Sequence, residues 1–276
     1  MELYKHAVRE ADRLGLELSV NLGSGWNPGG PAITPENALK KIVCSETFIS
    51  GGKRIRMILP QPEFFLIYKD ILVQAIPNKP GIPKGEDAIK NWDIKTLNKG
   101  IGWKGMYPLY KLREEYTDPG KDVAIRRREI INLTKYLKGD TLEWEAPAGD
   151  WTIIRYGYTC TGARTSTTSD GWSGLSLDHL SEKAFHVFEK SVILPLIDSA
   201  RSAGNSVRFL QTDSWEMGVA NWTENFPAEF LKDHGYPIED YMPVLSGRIV
   251  ESRAESNRFL HDFRRTVADC IKRNHY

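Results

Sequence analysis

The run Val207-Arg208-Phe209-Leu210-Gln211-Thr212-Asp213-Ser214-Trp215-Glu216 constrains this chain more than any other stretch. Val207, Phe209 and Gln211 alternate with Arg208, Leu210 and Thr212, which is the two-residue period of a strand. A helix-like segment precedes it and closes near Gly204. The strand then ends in two carboxylates, Asp213 and Glu216, with Trp215 between them. Helix, short strand and acidic tip is the order in which a (β/α) barrel delivers catalytic groups, because the C-terminal ends of its strands face the active site. A carboxyl beside an indole suits sugar chemistry: the acid moves protons and the ring packs on the sugar's apolar face. The plain alternative is a loop with two solvated acids and a half-buried Trp.

The first 40 residues repeat that order. Leu3, Tyr4, Ala7, Val8, Ala11 and Leu14 share one face of a predicted helix over 2–14, and Gly15 is its stop signal. Leu16, Leu18, Val20 and Leu22 alternate with Glu17, Ser19 and Asn21 as a strand. A glycine-dense loop, Gly23 to Pro31, follows and carries Trp26. It lacks the spacing of either phosphate-binding glycine motif. A sugar-contacting loop presenting Trp26 and a purely structural turn both fit.

Residues 41–160 read as a β-rich insert. Short strands are expected at Lys41–Ile49, Arg54–Leu59, Tyr68–Ile76, Ile130–Leu133, Thr141–Trp144 and Trp151–Thr159, separated by Gly, Pro, Asn and Asp turns. The segment from Ile131 to Ile153 reads as a hairpin pair, and Arg126, Arg127 and Arg128 as a solvated surface. Residues 161–276 return to barrel-type units. Ser181 is a helix N-cap with Leu180 and Phe185 as its staple, and Pro195 should kink or interrupt that helix. Ser252 and Glu255 form a capping box for a last helix buried along Phe259, Leu260, Phe263, Val267, Cys270 and Ile271. Only two barrel-type strands are visible where a closed barrel needs eight. The expected fold class is therefore α/β plus β: a partial (β/α)8 barrel interrupted by a β-sandwich-like insert, in a chain that is part of a larger protein.

Composition excludes several classes. The net charge of +1 over 276 residues leaves no electrostatic footprint for nucleic acid or an anionic membrane. No apolar run reaches membrane-spanning length, and the N-terminus opens into an amphipathic helix without a secretory leader. Cys44, Cys160 and Cys270 lie too far apart for a metal motif and read as inert thiols.

Four phrases carry a family resemblance. They are Glu10–Leu16 with Gly25–Pro31; Leu142–Trp144 with Ala146–Ile153; Thr212–Glu216 with Asn221-Trp222-Thr223; and Phe263–Asp269. Together they resemble glycoside hydrolase family 106, the α-L-rhamnosidases, over nearly the whole chain and most weakly at about 60–128. The resemblance implies secreted or periplasmic multidomain enzymes that act on oligosaccharides or polysaccharides by inversion. One carboxylic acid protonates the glycosidic oxygen while a second carboxylate activates water on the opposite face. Glu216 matches the acid. The substrate contacts expected beside it are Asp213, Trp215, Trp26, Asn21, Asn221 and Trp222. The base is not identified: Glu224, Glu239 and Asp240 are weak internal candidates. The resemblance also implies calcium near the sugar, although no compact oxygen-ligand motif is present. A catalytically inactive sugar-binding fragment lacking the base is the alternative.

Overall fold

The computed structural model describes residues 1–23, 26–98, 123–165, 168, 171–205, 207–212, 218 and 220–275. Contacts divide the chain into two compact units. The first comprises Met1–Leu39, Thr161–Met217 and Asn274–Tyr276; the second comprises Lys40–Cys160 and Gly218–Arg273.

In the first unit, the helix Glu2–Arg13 ends where Gly15 turns left-handed (φ +70) and the Leu16 amide donates to the Ala11 carbonyl at 2.8 Å. The next strand, Leu18–Asn21, pairs in parallel with Val207–Gln211, and Asn21 stands beside Gln211 at the end of the pair. Phe209 is 58% exposed and Leu210 47%. Successive strand residues point to opposite faces, so both faces of this strand carry exposed apolar side chains. Among the described residues the pair stands as a two-stranded sheet, not a closed barrel.

Ser181 caps its helix as expected, its Oγ accepting from the Ala184 amide at 3.2 Å. Pro195 acts less abruptly than a kink. Helix Glu182–Phe188 passes through a π-helical turn, Glu189–Ile193, into helix Leu194–Ser202. A proline donates no N–H and its ring crowds the carbonyl four residues back, here that of Ser191. The wider turn just before it accommodates both.

The same unit contains a histidine pair. His179 is 1% exposed, its ring stacks on His275 at 5.1 Å, and His179 Nδ1 lies 3.0 Å from His275 Nε2. Phe185 packs edge-on against His275, and Asn274 Nδ2 donates to the His179 carbonyl. Burial, and then the neighbouring His275, push His179 down to about 3, and burial also lowers His275. A histidine depressed in the folded state binds fewer protons there than in the unfolded chain. Its stabilising effect is thus complete above the unfolded value near 6.5 and is lost as pH falls from there toward 3. Acidification from pH 7 to 5 is expected to lower the urea midpoint of this unit, by at most about 1.4 kcal/mol per pH unit below 6.5. Urea titrations of wild type and His179→Gln at both pH values check this, and an equal acid loss in the two proteins would contradict it.

The second unit is built on two antiparallel sheets. One has the order Lys40–Ser50, Asp150–Cys160, Tyr68–Pro77, Ile131–Asn132; the other has Lys53–Ile58, Thr141–Ala146, Leu137–Lys138. Ile55, Leu142, Trp144 and Ala146 of the second sheet share one buried cluster with Val73, Ala75 and Ile153 of the first. The expected hairpin pair is only half present. Leu137–Lys138 turns tightly into Thr141–Ala146 through Gly139 (φ +57). The next strand, Asp150–Cys160, instead pairs in the other sheet. Gly149 (φ +113) is where the chain leaves one sheet for the other, an excursion that suits a residue without a Cβ.

Arg127 and Arg128 are exposed, as expected of a solvated surface, and the run is also tied to Glu251: Arg126 Nη1 lies 3.2 Å from one carboxylate oxygen, and the other accepts from the Arg127 amide at 2.8 Å. Cys44 is exposed, whereas Cys160 and Cys270 are buried. The last helix, Arg253–His275, buries Phe259, Leu260, Phe263, Val267 and Cys270 as its periodicity predicts. Ser252 Oγ accepts from the Glu255 amide at its start.

Candidate active site

Parallel pairing brings two chain-distant strand ends together. Asn21 and Gln211 are register partners, and the Leu22 amide donates to the Gln211 carbonyl at 2.8 Å. The loop that carries Trp26 and the loop that begins at Thr212 therefore leave the same end of the same sheet. Asp213, Trp215 and Glu216, the acidic tip expected from the sequence, lie outside the described residues.

Asn21 shapes the first loop. Its Oδ1 accepts from the Gly23 amide at 2.8 Å, the Asx-turn geometry that reverses a chain leaving a strand. Trp26 then donates its amide to the Gly23 carbonyl at 3.0 Å and adopts φ +80, with its side chain 44% exposed. A Cβ on Gly23 would stand 2.7 Å from the Trp26 carbonyl oxygen, so this turn requires glycine. An indole held outward on a constrained turn is a suitable face for a sugar ring.

Gly29 and Gly30 next pair antiparallel with Ser176 and Leu175. A Cβ on Gly29 would stand 2.4 Å from the Leu175 carbonyl oxygen, and one on Gly174 only 2.1 Å from the Gly30 carbonyl. Glycines on both sides let the two backbones touch and fix the Trp26 loop to the segment around Trp172. The Trp172 indole nitrogen lies 3.5 Å from where a Gly30 Cβ would be. Trp172 is not among the site residues expected from the sequence. The signal was the second Gly-Trp step, Gly171-Trp172, echoing Gly25-Trp26. Nor is Asn27 among them, which is 3% exposed and whose Oδ1 makes no hydrogen bond among the described residues.

Two expected sugar contacts are corrected by their burial in the second unit. Trp222 is 1% exposed and stacks on Phe226 at 5.1 Å, which in turn meets Phe263 edge-on. It is core and offers no face to a ligand. Asn221 is equally buried. Its Oδ1 accepts from the Ile42 amide at 2.8 Å, and its Nδ2 donates to the Thr96 carbonyl and Asn98 Oδ1. That carboxamide is occupied in tying three backbone segments together.

Two of the three weak candidates for a base, Glu224 and Asp240, are engaged in surface ion pairs. Glu224 meets Lys69 at 3.0 Å, and Asp240 lies 3.5 Å from Arg127. Among the described residues no cluster of three or more His, Cys, Asp or Glu side chains is arranged to hold a metal ion. No described residue is therefore assigned to calcium. No described helix is long and apolar enough to cross a membrane.

The two strands thus end side by side, one leading into a loop that presents an indole and the other into a run that is acidic in sequence. The sequence profile of glycoside hydrolase family 106, described as alpha-L-rhamnosidase, matches residues 1–76 and 84–276, and the chain belongs to that family. A Formosa agariphila protein named "Putative beta-glucuronidase" is 40% identical over 280 residues; the match spans all of this chain and 23% of that protein. The structure of a rhamnosidase from Novosphingobium sp. PP1Y has the same fold over 99% of this chain and 38% of that one, at 23% identity and a TM-score of 0.78. The chain thus spans a quarter to two fifths of these relatives' lengths.

Proposed function

We propose that the polypeptide containing this chain is a glycoside hydrolase. It cleaves terminal α-L-rhamnosyl linkages of plant or bacterial glycans by inversion, with Glu216 as general acid and Asp213, Trp215, Trp26 and Asn21 around the sugar. The observation that carries this reading is the register of Asn21 with Gln211. It sends the acidic loop and the Trp26 loop from one sheet end, where catalytic groups of such sheets are found. The sheet itself is proposed to be part of a (β/α)8 barrel. Parallel strands are normally covered on both faces, and the exposed Phe209 and Leu210 are the side chains that further βα units would cover. Polymeric glycans are met outside the cytoplasm, so a periplasmic or secreted setting goes with this reading.

Inversion requires the base to act through water from the face opposite Glu216, with the two carboxyls about 6.5–9.5 Å apart. Asp213, three residues away in sequence, is a better orienting group than base. The reading is tested by proton NMR of the first sugar released from an aryl α-L-rhamnoside by the full-length polypeptide. β-Rhamnose appearing first is expected. α-Rhamnose first would make the enzyme retaining, and no release would leave the inactive sugar-binding alternative. A second reading, β-glucuronide cleavage, is favoured by the name of the Formosa agariphila relative, and release of glucuronate from an aryl β-glucuronide tests it.

A further inference from the structure

Phe64, Phe65 and Leu66 are consecutive and each about half exposed, at 51%, 52% and 53%. Nothing in the hydrolase reading uses them. Their backbone is nevertheless fixed. Thr159, itself buried, accepts from the Phe65 amide at 2.7 Å and donates to the Phe65 carbonyl at 2.9 Å through one hydroxyl. Leu66 is held at φ +65, a conformation unfavourable for a residue with a Cβ. A strained, pinned turn that keeps three large apolar side chains in solvent gains nothing from core burial, and such features cluster at binding surfaces.

The surroundings indicate what binds. Phe64 lies 5.8 Å from the Tyr68 ring at a tilt of 41°. The Tyr68 ring lies against Gly157, where any Cβ would come within 2.3 Å of it. Its hydroxyl donates to Asp70 at 2.6 Å, fixing the ring. Asp70 is held by the buried Arg155 through a two-pronged pair at 2.7 and 2.8 Å, and Arg155 also reaches Asp140 at 2.8 Å. Gln61 donates to the same Asp140 oxygen at 3.1 Å. The Asp70 and Asp140 carboxylates remain 38% and 49% exposed.

We propose that this edge of the β-rich unit is a second carbohydrate-binding surface. In it, the Phe64 and Tyr68 rings pack on sugar faces, and the exposed carboxylate oxygens of Asp70 and Asp140 accept from sugar hydroxyls. A covering protein segment would have to desolvate two ionised carboxylates, which is costly without new partners. A sugar supplies hydroxyl donors to those oxygens while its C–H faces meet the rings. The surface belongs to the unit that does not contain the acidic loop, so it would grip polymer independently of turnover.

The test is affinity gel electrophoresis of the full-length polypeptide in gels containing gum arabic, pectin or xylan. Wild type, Phe64→Ser and Phe64→Ser/Phe65→Ser are compared, with thermal melting of each. Both residues are exposed, so the variants are expected to fold with unchanged Tm. Wild type should be retarded by at least one polysaccharide, and Phe64→Ser should weaken that binding about tenfold, the loss of one aromatic contact of about 1.4 kcal/mol. The double variant should remove retardation. Absence of wild-type retardation in all three gels, or unchanged retardation in the double variant, overturns the proposal. A fall in Tm with retardation intact would instead show that these side chains pack against another part of the polypeptide. Hydrolysis of a small aryl rhamnoside should be equal in all three proteins. Failure of the hydrolase reading would leave every protein inactive without altering the gel result.

Discussion

Glu216→Gln in the full-length polypeptide is expected to lower kcat for alkyl α-L-rhamnosides by about 10³-fold, the scale of one general acid. Toward a dinitrophenyl rhamnoside the loss should be about tenfold or less. The difference follows from the leaving group. An alkoxide is too basic to depart unprotonated, so its loss depends on a proton delivered as the bond breaks. A dinitrophenolate departs without help. Glutamine matches the neutral acid in size and charge and cannot donate that proton, so KM should hardly change while kcat falls. The alkaline limb of the pH–rate profile, which reports deprotonation of the acid, should also flatten in the variant. Measuring kcat on both glycosides separates the outcomes. Equal losses on the two would mean that Glu216 binds or shapes the site rather than protonating it. No loss on either would assign the proton to another residue.

How much of this was legible in the sequence differs between the two units for physical reasons. Strand identities in the β-rich unit were read nearly to their ends because runs of β-branched and aromatic residues are bounded by Gly, Pro, Asn and Asp turns. Tyr68–Pro77 and Asp150–Cys160 match the expected runs to within a residue. Pairing was not legible. The adjacent strands Thr141–Ala146 and Asp150–Cys160 look like a hairpin in sequence, yet each hydrogen-bonds in a different sheet. Strand composition and turn residues report where a strand runs and say nothing about its neighbour. At the candidate site the backbone was legible and the side chains only in part. The exposed indole of Trp26 follows from glycine-rich, polar loop chemistry, whereas Asn21, expected as a substrate contact, also turns the chain through its bond from the Gly23 amide. Asn221 and Trp222 looked like ligand groups because Asn and Trp commonly contact sugars. Buried Asn and Trp serve equally well as a hydrogen-bond hub and a core filler, and composition cannot separate the two uses.

Gly174→Ala is expected to be the most damaging small substitution in the first unit, costing about 3 kcal/mol. The added methyl would overlap the Gly30 backbone, with its carbon and oxygen both 2.1 Å from the new atom and its Cα 2.6 Å away. None of these is the end of a flexible side chain, so relief requires separating two strands. Separation threatens the Gly174 hydrogen bonds as well: its carbonyl accepts from the Thr165 amide at 3.0 Å and its amide donates to Thr165 Oγ1 at 3.1 Å. Gly171→Ala supplies the control three residues away. Gly171 adopts φ +83 but has nothing within 4 Å of an added Cβ, so only conformational strain is charged, about 1 kcal/mol. Urea midpoints of the two variants should therefore differ clearly, with Gly174→Ala the lower. The functional effect should follow the same order, because Gly30 belongs to the loop that carries Trp26. Separating the strands shifts the indole relative to the strand ends, and kcat/KM should fall in Gly174→Ala while Gly171→Ala stays near wild type. If the two variants prove equally stable, the close glycine-to-glycine contact is not what fixes the Trp26 loop. The loop's geometry would then have to come from the turn at Asn21 and Gly23 alone.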